Sequence, residues 1–227
     1  MSFFVYCDIE TLPHEDPGVT PPPKVPANYK DPAKIAEYIE SNREIAHRET
    51  ALDPLWGRIC TISLAVEQDE VATFHTQEHG ESGERAAILW LQDRVELARA
   101  AYGDLLPAWV GHYFAAFDLR FLYWRAAKYG ARQLMAALPW ERWQAAYLID
   151  TATLAVGPAY RDRAPGLGKL CGYFGIEGKM QGVSGANVWD MYQAGEHQAI
   201  ADYCAQDVRA VRALHQILTV ENKRGKK

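Results

Sequence analysis

The chain has 227 residues, 48% of them apolar and 23% charged, with a formal net charge of −5. Those proportions exclude a disordered chain or a coiled coil as the main state. The acidic balance excludes a protein that coats polyanions through a general basic surface, so nucleic-acid binding must rest on a local site. The length suits one domain over residues 1–227.

The first strand is expected over residues 3–9 (FFVYCDI), a β-branched and aromatic run. Residues 13–31 are rich in proline and read as loop. Asp31 followed by Pro32 is a helix start, and Ile35, Tyr38, Ile39, Ile45 and Ala46 give residues 32–51 a solvated amphipathic helix. Residues 58–66 and 70–75 form a hairpin around Glu67–Asp69. A helix follows over 82–101, then a short buried strand over 108–112. Residues 118–129 are helical and Gly130 closes them. Another strand covers 146–150, a short helix Leu167–Phe174, and a glycine-rich loop Gly175–Asn187. The final helix spans 197–220, with Ile200, Tyr203, Cys204, Val208, Val211, Leu214 and Leu218 along one side. The basic tail NKRGKK is expected to fray.

Cys7, Cys60, Cys171 and Cys204 show no CxxC spacing. That pattern points away from a zinc ribbon or a disulfide framework and toward a reducing compartment. The start MSFFVYCDIET has no basic region and a short apolar run, so it is not read as a signal peptide. No stretch approaches the ~20 apolar residues of a membrane span. A cytoplasmic protein without a membrane partner is expected.

Acidic residues occur where burial is expected. Asp8 and Glu10 are two apart on a strand, so their side chains share a face. An edge-strand polar face would explain them, but the surrounding FFVYC and Ile9 indicate a central strand. Two unpaired buried carboxylates cost several kcal/mol each, and a divalent cation removes that penalty. Asp118 opens a helix, where capping is the simpler role and is compatible with facing a metal. Tyr203 and Asp207 are four apart on the last helix, in line with its buried stripe. An aspartate in such a stripe needs a partner. Oxygen-only ligands favour Mg2+ or Mn2+ over zinc. Converging carboxylates without a nucleotide loop suggest phosphodiester hydrolysis by two ions, with a tyrosine hydroxyl orienting the attacking water.

The motifs Asp8-Ile9-Glu10-Thr11, Gly111-His112-Tyr113-Phe114-Ala115-Ala116-Phe117-Asp118 and Tyr203-Cys204-Ala205-Gln206-Asp207 occur in that order. Together they make the chain resemble DEDDy-type 3′–5′ exonucleases of the ribonuclease H-like superfamily. It is similar in particular to the predicted exonucleases related to the proofreading domain of family B DNA polymerases. The resemblance extends to the helix after the proline-rich stretch and to the Gly-Val-Ser-Gly loop at 182–185. It implies an α/β fold, a ribonuclease H-like mixed five-stranded sheet flanked by helices. It also implies that Asp8 bridges both ions, Glu10 and Asp207 complete the first site, Asp118 holds the second, and Tyr203 positions the water. Residue 202, where the histidine subclass carries its histidine, is aspartate. One departure is Tyr113, where the family usually has asparagine.

The expected activity is 3′–5′ hydrolysis of DNA, at single-stranded or frayed 3′ ends, to 5′-mononucleotides. The alternatives are a non-catalytic nucleic-acid or replisome-binding module and a 3′–5′ exoribonuclease. A polymerase or repair partner would act in trans, and the sequence does not indicate an oligomeric state. Residues 13–55 form an insertion that could cover the 3′ end or simply decorate the fold. Lys169, Lys179, Arg161 and Arg163 could grip phosphates or form a solvated face. Among Trp56, Trp109, Trp124, Trp140, Trp143 and Trp189 one could stack on a base, although packing is the commoner role. His112 is read as a satisfied structural histidine. No dinucleotide fingerprint, P-loop, GxSxG or HExxH is present.

Overall fold

The first strand, β1 (Phe3–Leu12), is almost wholly buried and becomes the centre of the sheet. A computed structural model of the protein describes residues 2–157, 164–177 and 184–219. Next come α1 (Pro32–Glu49), β2 (Arg58–Val66), β3 (Ala72–His75), α2 (Glu81–Ala101), β4 (Pro107–Gly111), α3 (Asp118–Tyr129) and α4 (Arg132–Ala137). They are followed by β5 (Leu148–Asp150), α5 (Thr151–Val156), α6 (Leu167–Phe174), α7 (Val188–Gln193) and α8 (His197–Leu218). The sheet order is β3-β2-β1-β4-β5. β3, β2 and β1 are antiparallel neighbours, whereas β4 and β5 run parallel to β1. This is a mixed five-stranded α/β sheet flanked by helices, as expected.

The alternation of β1 builds two cores. Phe3, Val5, Cys7 and Ile9 join residues of α2, α3 and α4 on one face. Tyr6 joins Ala65, Val110, Val208 and Val211 beneath α8 on the other. Asp8 and Glu10 have the parity of Tyr6, so the strand period aims them at α8.

Local chemistry sets the boundaries. Asp31 caps α1 by accepting from the Ala33 N–H at 2.9 Å, with Pro32 at the first helical position. Gly130 ends α3 in the left-handed region at φ 71°. The β2–β3 hairpin turns at Glu67, whose φ of 47° is held because its N–H donates to the Phe4 carbonyl and its carboxylate accepts from the Phe4 N–H. The last strand begins at Leu148, later than periodicity suggests, because Arg142–Tyr147 form a 3-10 stretch. The short helices α4, α5 and α7 leave no sequence pattern, since six residues span too few turns to show a period. Residues 178–183 of the glycine-rich loop and the tail from 220 lie outside the described residues.

Glu84 on α2 is 0% exposed and holds three elements together. It accepts from the Ile59 N–H at 2.9 Å, from Arg125 Nε at 2.6 Å and from the Tyr129 hydroxyl at 2.6 Å. Arg125 also donates to the Gly57 carbonyl. Removing one partner of a buried pair strands the other charge. Glu84→Ala is therefore expected to lower unfolding stability by about 3–5 kcal/mol, read as a shifted urea midpoint. A loss below about 1 kcal/mol would show that the network is not structural.

Candidate active site

β1 outruns its parallel neighbour. Its pairing with β4 ends at Tyr6↔Val110, while its pairing with β2 continues to Leu12↔Arg58. The second half of β1 therefore forms an open rim where β4 turns away. The Ile9 N–H on this rim donates to Asp118 Oδ1 at 3.1 Å. Asp118 is the first residue of α3, not its cap: the cap position is Phe117, and the Asp118 carboxylate reaches across to β1. The bland capping role thus gives way to one that ties α3 to the strand carrying Asp8 and Glu10.

The turn that delivers Asp118 has its own logic. Gly111 lies against Phe114, and a Cβ there would stand 2.6 Å from the Phe114 ring and Cβ. Tyr113 has φ 58°, a region asparagine tolerates and bulky residues rarely enter. Its N–H donates to Asp150 Oδ1 at 2.9 Å and its hydroxyl donates to the Ala164 carbonyl. Asp150 also accepts from Ala115 and Ala152. These bonds hold the strained backbone in place of the asparagine expected at position 113. His112 is satisfied on both nitrogens, by Thr151 Oγ1 at 3.0 Å and the Pro165 carbonyl at 3.1 Å, in agreement with its structural reading.

The rim gathers the sequence-distant acids. Burial raises the Asp8 carboxyl well above the carboxylate range, and the charges of Asp118, Glu10 and Asp207 raise it further. Glu10 is raised by burial, Asp207 and Asp118. Asp118 is pushed up to about 8, chiefly by burial, against the hydrogen bonds it accepts and with Asp150 and Asp207 adding to the rise. The Tyr203 hydroxyl is raised by burial and by Asp207, Glu10 and Asp8, and it is hydrogen-bonded to Asp207. No arginine or lysine among the described residues is ion-paired with Asp8, Glu10 or Asp118. Glu10 is only 8% exposed. Asp8 Oδ2 is buried and has no hydrogen-bond partner. A buried orphan oxygen among like charges is the environment that a hard divalent cation relieves. The residues therefore fit a metal.

In the sequence Cys204 falls in an apolar stripe and in the Tyr203–Asp207 motif, with nothing to mark it as part of the acidic site. The structure sets its sulfur beside the acids, within 4.8 Å of an oxygen from each of Asp8 and Glu10. Asp150, which closes a strand just before Thr151, carries a cap signal that is legible in the sequence. Trp109 is fully buried, and Trp140 stacks on Tyr123 with centroids 4.0 Å apart. Trp189 meets His47 and His79 near the rim. Lys169 is exposed on α6, while Arg161, Arg163 and Lys179 lie outside the described residues. No helix among the described residues is long and apolar enough to cross a membrane.

No curated protein matches the chain. A family described as predicted 3′–5′ exonucleases related to the exonuclease domain of PolB matches residues 52–215. The matched span contains Asp118, Tyr203 and Asp207. β1, which carries Asp8 and Glu10, precedes that span and is inserted between two of its strands by pairing with β2 and β4. The match covers well over half of the sequence, and the chain belongs to this family of predicted 3′–5′ exonucleases related to the exonuclease domain of PolB.

Proposed function

We propose that residues 1–227 form one metal-dependent DEDDy-type exonuclease domain, with 13–55 as an insertion. It would cut DNA from single-stranded or frayed 3′ ends and release 5′-mononucleotides. The observation that carries this reading is the convergence of Asp8, Glu10, Asp118 and Asp207 on one rim with the Tyr203 hydroxyl. Two Mg2+ or Mn2+ ions would suit the oxygen-rich set, and Asp8 would serve both, Glu10 and Asp207 would hold the first and Asp118 would hold the second. Bound there, such ions supply Lewis acidity for water activation and for the leaving oxygen. The protein's own contribution is placement. Asp118 is oriented by the Ile9 N–H. Burial first, and then Asp207, Glu10 and Asp8, raise the Tyr203 hydroxyl, so it stays protonated at neutral pH and can hold the attacking water in line.

The insertion supports an unpaired substrate. Its helix α1 is tied to α7 by the Arg48–Asp190 pair at 2.8 Å. The Thr11 hydroxyl donates to the Ala51 carbonyl at 2.7 Å. A groove of about 230 Å³ lies between Thr11, Ile45, Leu52, Ala186 and Trp189. A nucleobase freed from its partner could enter it, which a base held in a duplex could not. Cys7, Cys60 and Cys204 form no disulfide, which supports a reducing cytoplasm.

The test uses single-stranded DNA, duplex DNA and RNA, each labelled and blocked at one end. Stepwise shortening from a free 3′ end of single-stranded DNA, abolished by a chelator, is expected. Equal rates on RNA would remove DNA preference from the proposal, and shortening from the 5′ end would overturn its polarity. Tyr203→Phe is expected to lower kcat roughly 10²-fold while leaving KM nearly unchanged. Wild-type kcat in that variant would remove Tyr203 from the mechanism.

A further inference from the structure

On a chain of net charge −5, residues 119–147 carry Arg120, Arg125, Lys128, Arg132 and Arg142 against one acid, Glu141. Three of the seven tryptophans, Trp124, Trp140 and Trp143, fall in the same stretch. Folding sorts these residues. Arg125 turns inward to Glu84, and Lys128 pairs with Glu81. Arg120 and Arg142 stay exposed, and neither has an ion pair among the described residues. Arg120 lies over the Trp124 ring, 5.6 Å from its centroid. Trp140, from the segment before β5, lies flat on Tyr123 with the ring planes 4° apart. Arg142 follows two residues later, and Trp143 beside it is 68% exposed. Core packing does not account for a tryptophan left that open beside an arginine without an ion pair. The outer side of α3, Trp140 and the Arg142–Trp143 pair thus make one surface that is both cationic and aromatic. It begins at the acidic rim. Arg120 follows Asp118 by two residues, and Trp124 stands about 9 Å farther along the helix axis than Asp118.

We propose that this surface binds single-stranded nucleic acid, holding the part of the strand that lies 5′ to the rim. Charge selects the partner. The chain as a whole repels a polyanion, which is attracted only where basic side chains outnumber acids. Arginines take phosphates, and open rings take unstacked bases, whose faces are hidden in a duplex. The alternation of arginine and ring on the surface matches the alternation of phosphate and base along an unpaired strand. Neither contact senses the ribose 2′-hydroxyl, so the surface supplies affinity rather than a choice of sugar. At a rim that hydrolyses 3′ ends, it lowers KM for strands long enough to reach it and leaves kcat alone. That last consequence rests on the exonuclease reading above; the binding itself does not.

The test follows the anisotropy of a fluorescent oligothymidylate of about 20 nucleotides with full-length protein, in chelator and about 50 mM salt. A joint Arg120→Glu and Arg142→Glu variant is expected to bind at least about tenfold more weakly. It should also flatten the slope of log affinity against log salt by about 1.4, for two phosphate contacts. Trp143→Ala should weaken binding about fivefold or more. Arg94→Glu is the control. It removes a matching arginine 5.7 Å from the Trp90 ring on α2, beside β3 at the other edge of the sheet, and should leave affinity unchanged. All four side chains are exposed, so each variant should keep the circular dichroism of the wild type. Unchanged affinity in the joint variant, an equal loss in Arg94→Glu, or no binding by the wild type each overturns the proposal. With Mn2+, the joint variant should raise KM on the long strand at least about fivefold and leave a trinucleotide unaffected. Binding lost as expected, with no 3′ end hydrolysed by the wild type, would retain the surface and overturn the exonuclease reading. Hydrolysis by the wild type with binding intact in the joint variant would do the reverse.

Discussion

Asp8→Asn is expected to abolish turnover, by roughly 10³-fold or more, while making the metal-free protein more stable. The two effects have one origin. Asp8 lies among Glu10, Asp118 and Asp207, and its Oδ2 has no hydrogen-bond partner. In the resting chain burial and those three carboxylates oppose its charge, and only the Cys204 thiol favours it. Asparagine keeps the shape, removes one charge and adds an N–H₂ donor that neighbouring carboxylates can accept. A gain of about 1–2 kcal/mol, or several degrees in Tm, follows from relieving the repulsion. A residue retained for packing would show the reverse: activity preserved and stability lost. Normal turnover in the variant would remove Asp8 from the site, and unfolding would make it structural.

Divalent metal should stabilise the protein strongly, and more so at high pH. Asp118 is pushed up to about 8 by burial, and Asp8 and Glu10 are also well above their ordinary values. Each of these groups binds its proton more tightly folded than unfolded. The folded state then holds more protons than the unfolded one from about pH 4 up to the folded pKa. Stability contributed by these protons is present below that window and is lost as pH rises through it. Metal-free protein should accordingly weaken between about pH 5 and about pH 8. A bound cation replaces the protons and reverses the sign, and it binds better when they have left. Added Mn2+ is expected to raise Tm by roughly 5 °C or more at about pH 8, and by less than half of that near pH 5.5. Differential scanning with and without metal at both pH values isolates these groups from the rest. Equal shifts at the two pH values, or none, would show that the acids do not share a metal.

Much of this is legible in the sequence, for definite reasons. Period-2 alternation in FFVYCDIE placed Asp8 and Glu10 on one face, and α8 faces that side of β1. The Asp31–Pro32 start and the Gly130 stop are backbone rules that operate within a few residues, and both hold. The spacing of Tyr203 and Asp207 placed both on the inner side of the last helix, because a helical turn repeats near four residues.

Other features depended on contacts that no local pattern records. Glu84 looks like any charged residue of an amphipathic helix, and only the approach of Arg125 and Tyr129 from α3 makes it a buried anchor. Asp118 could be read as a cap until the unequal lengths of β1 and β4 left the Ile9 N–H open to it. Cys204 belongs to a hydrophobic stripe in one dimension and to an acidic rim in three. By itself the amino-acid order determined the elements, the faces and the identity of the acids, because those follow from dihedral preference and periodicity over short stretches. Tertiary packing alone decided which groups meet, how their charges raise one another's proton affinity, and that a sulfur stands among them, because Coulomb energy and desolvation depend on distance through space rather than along the chain.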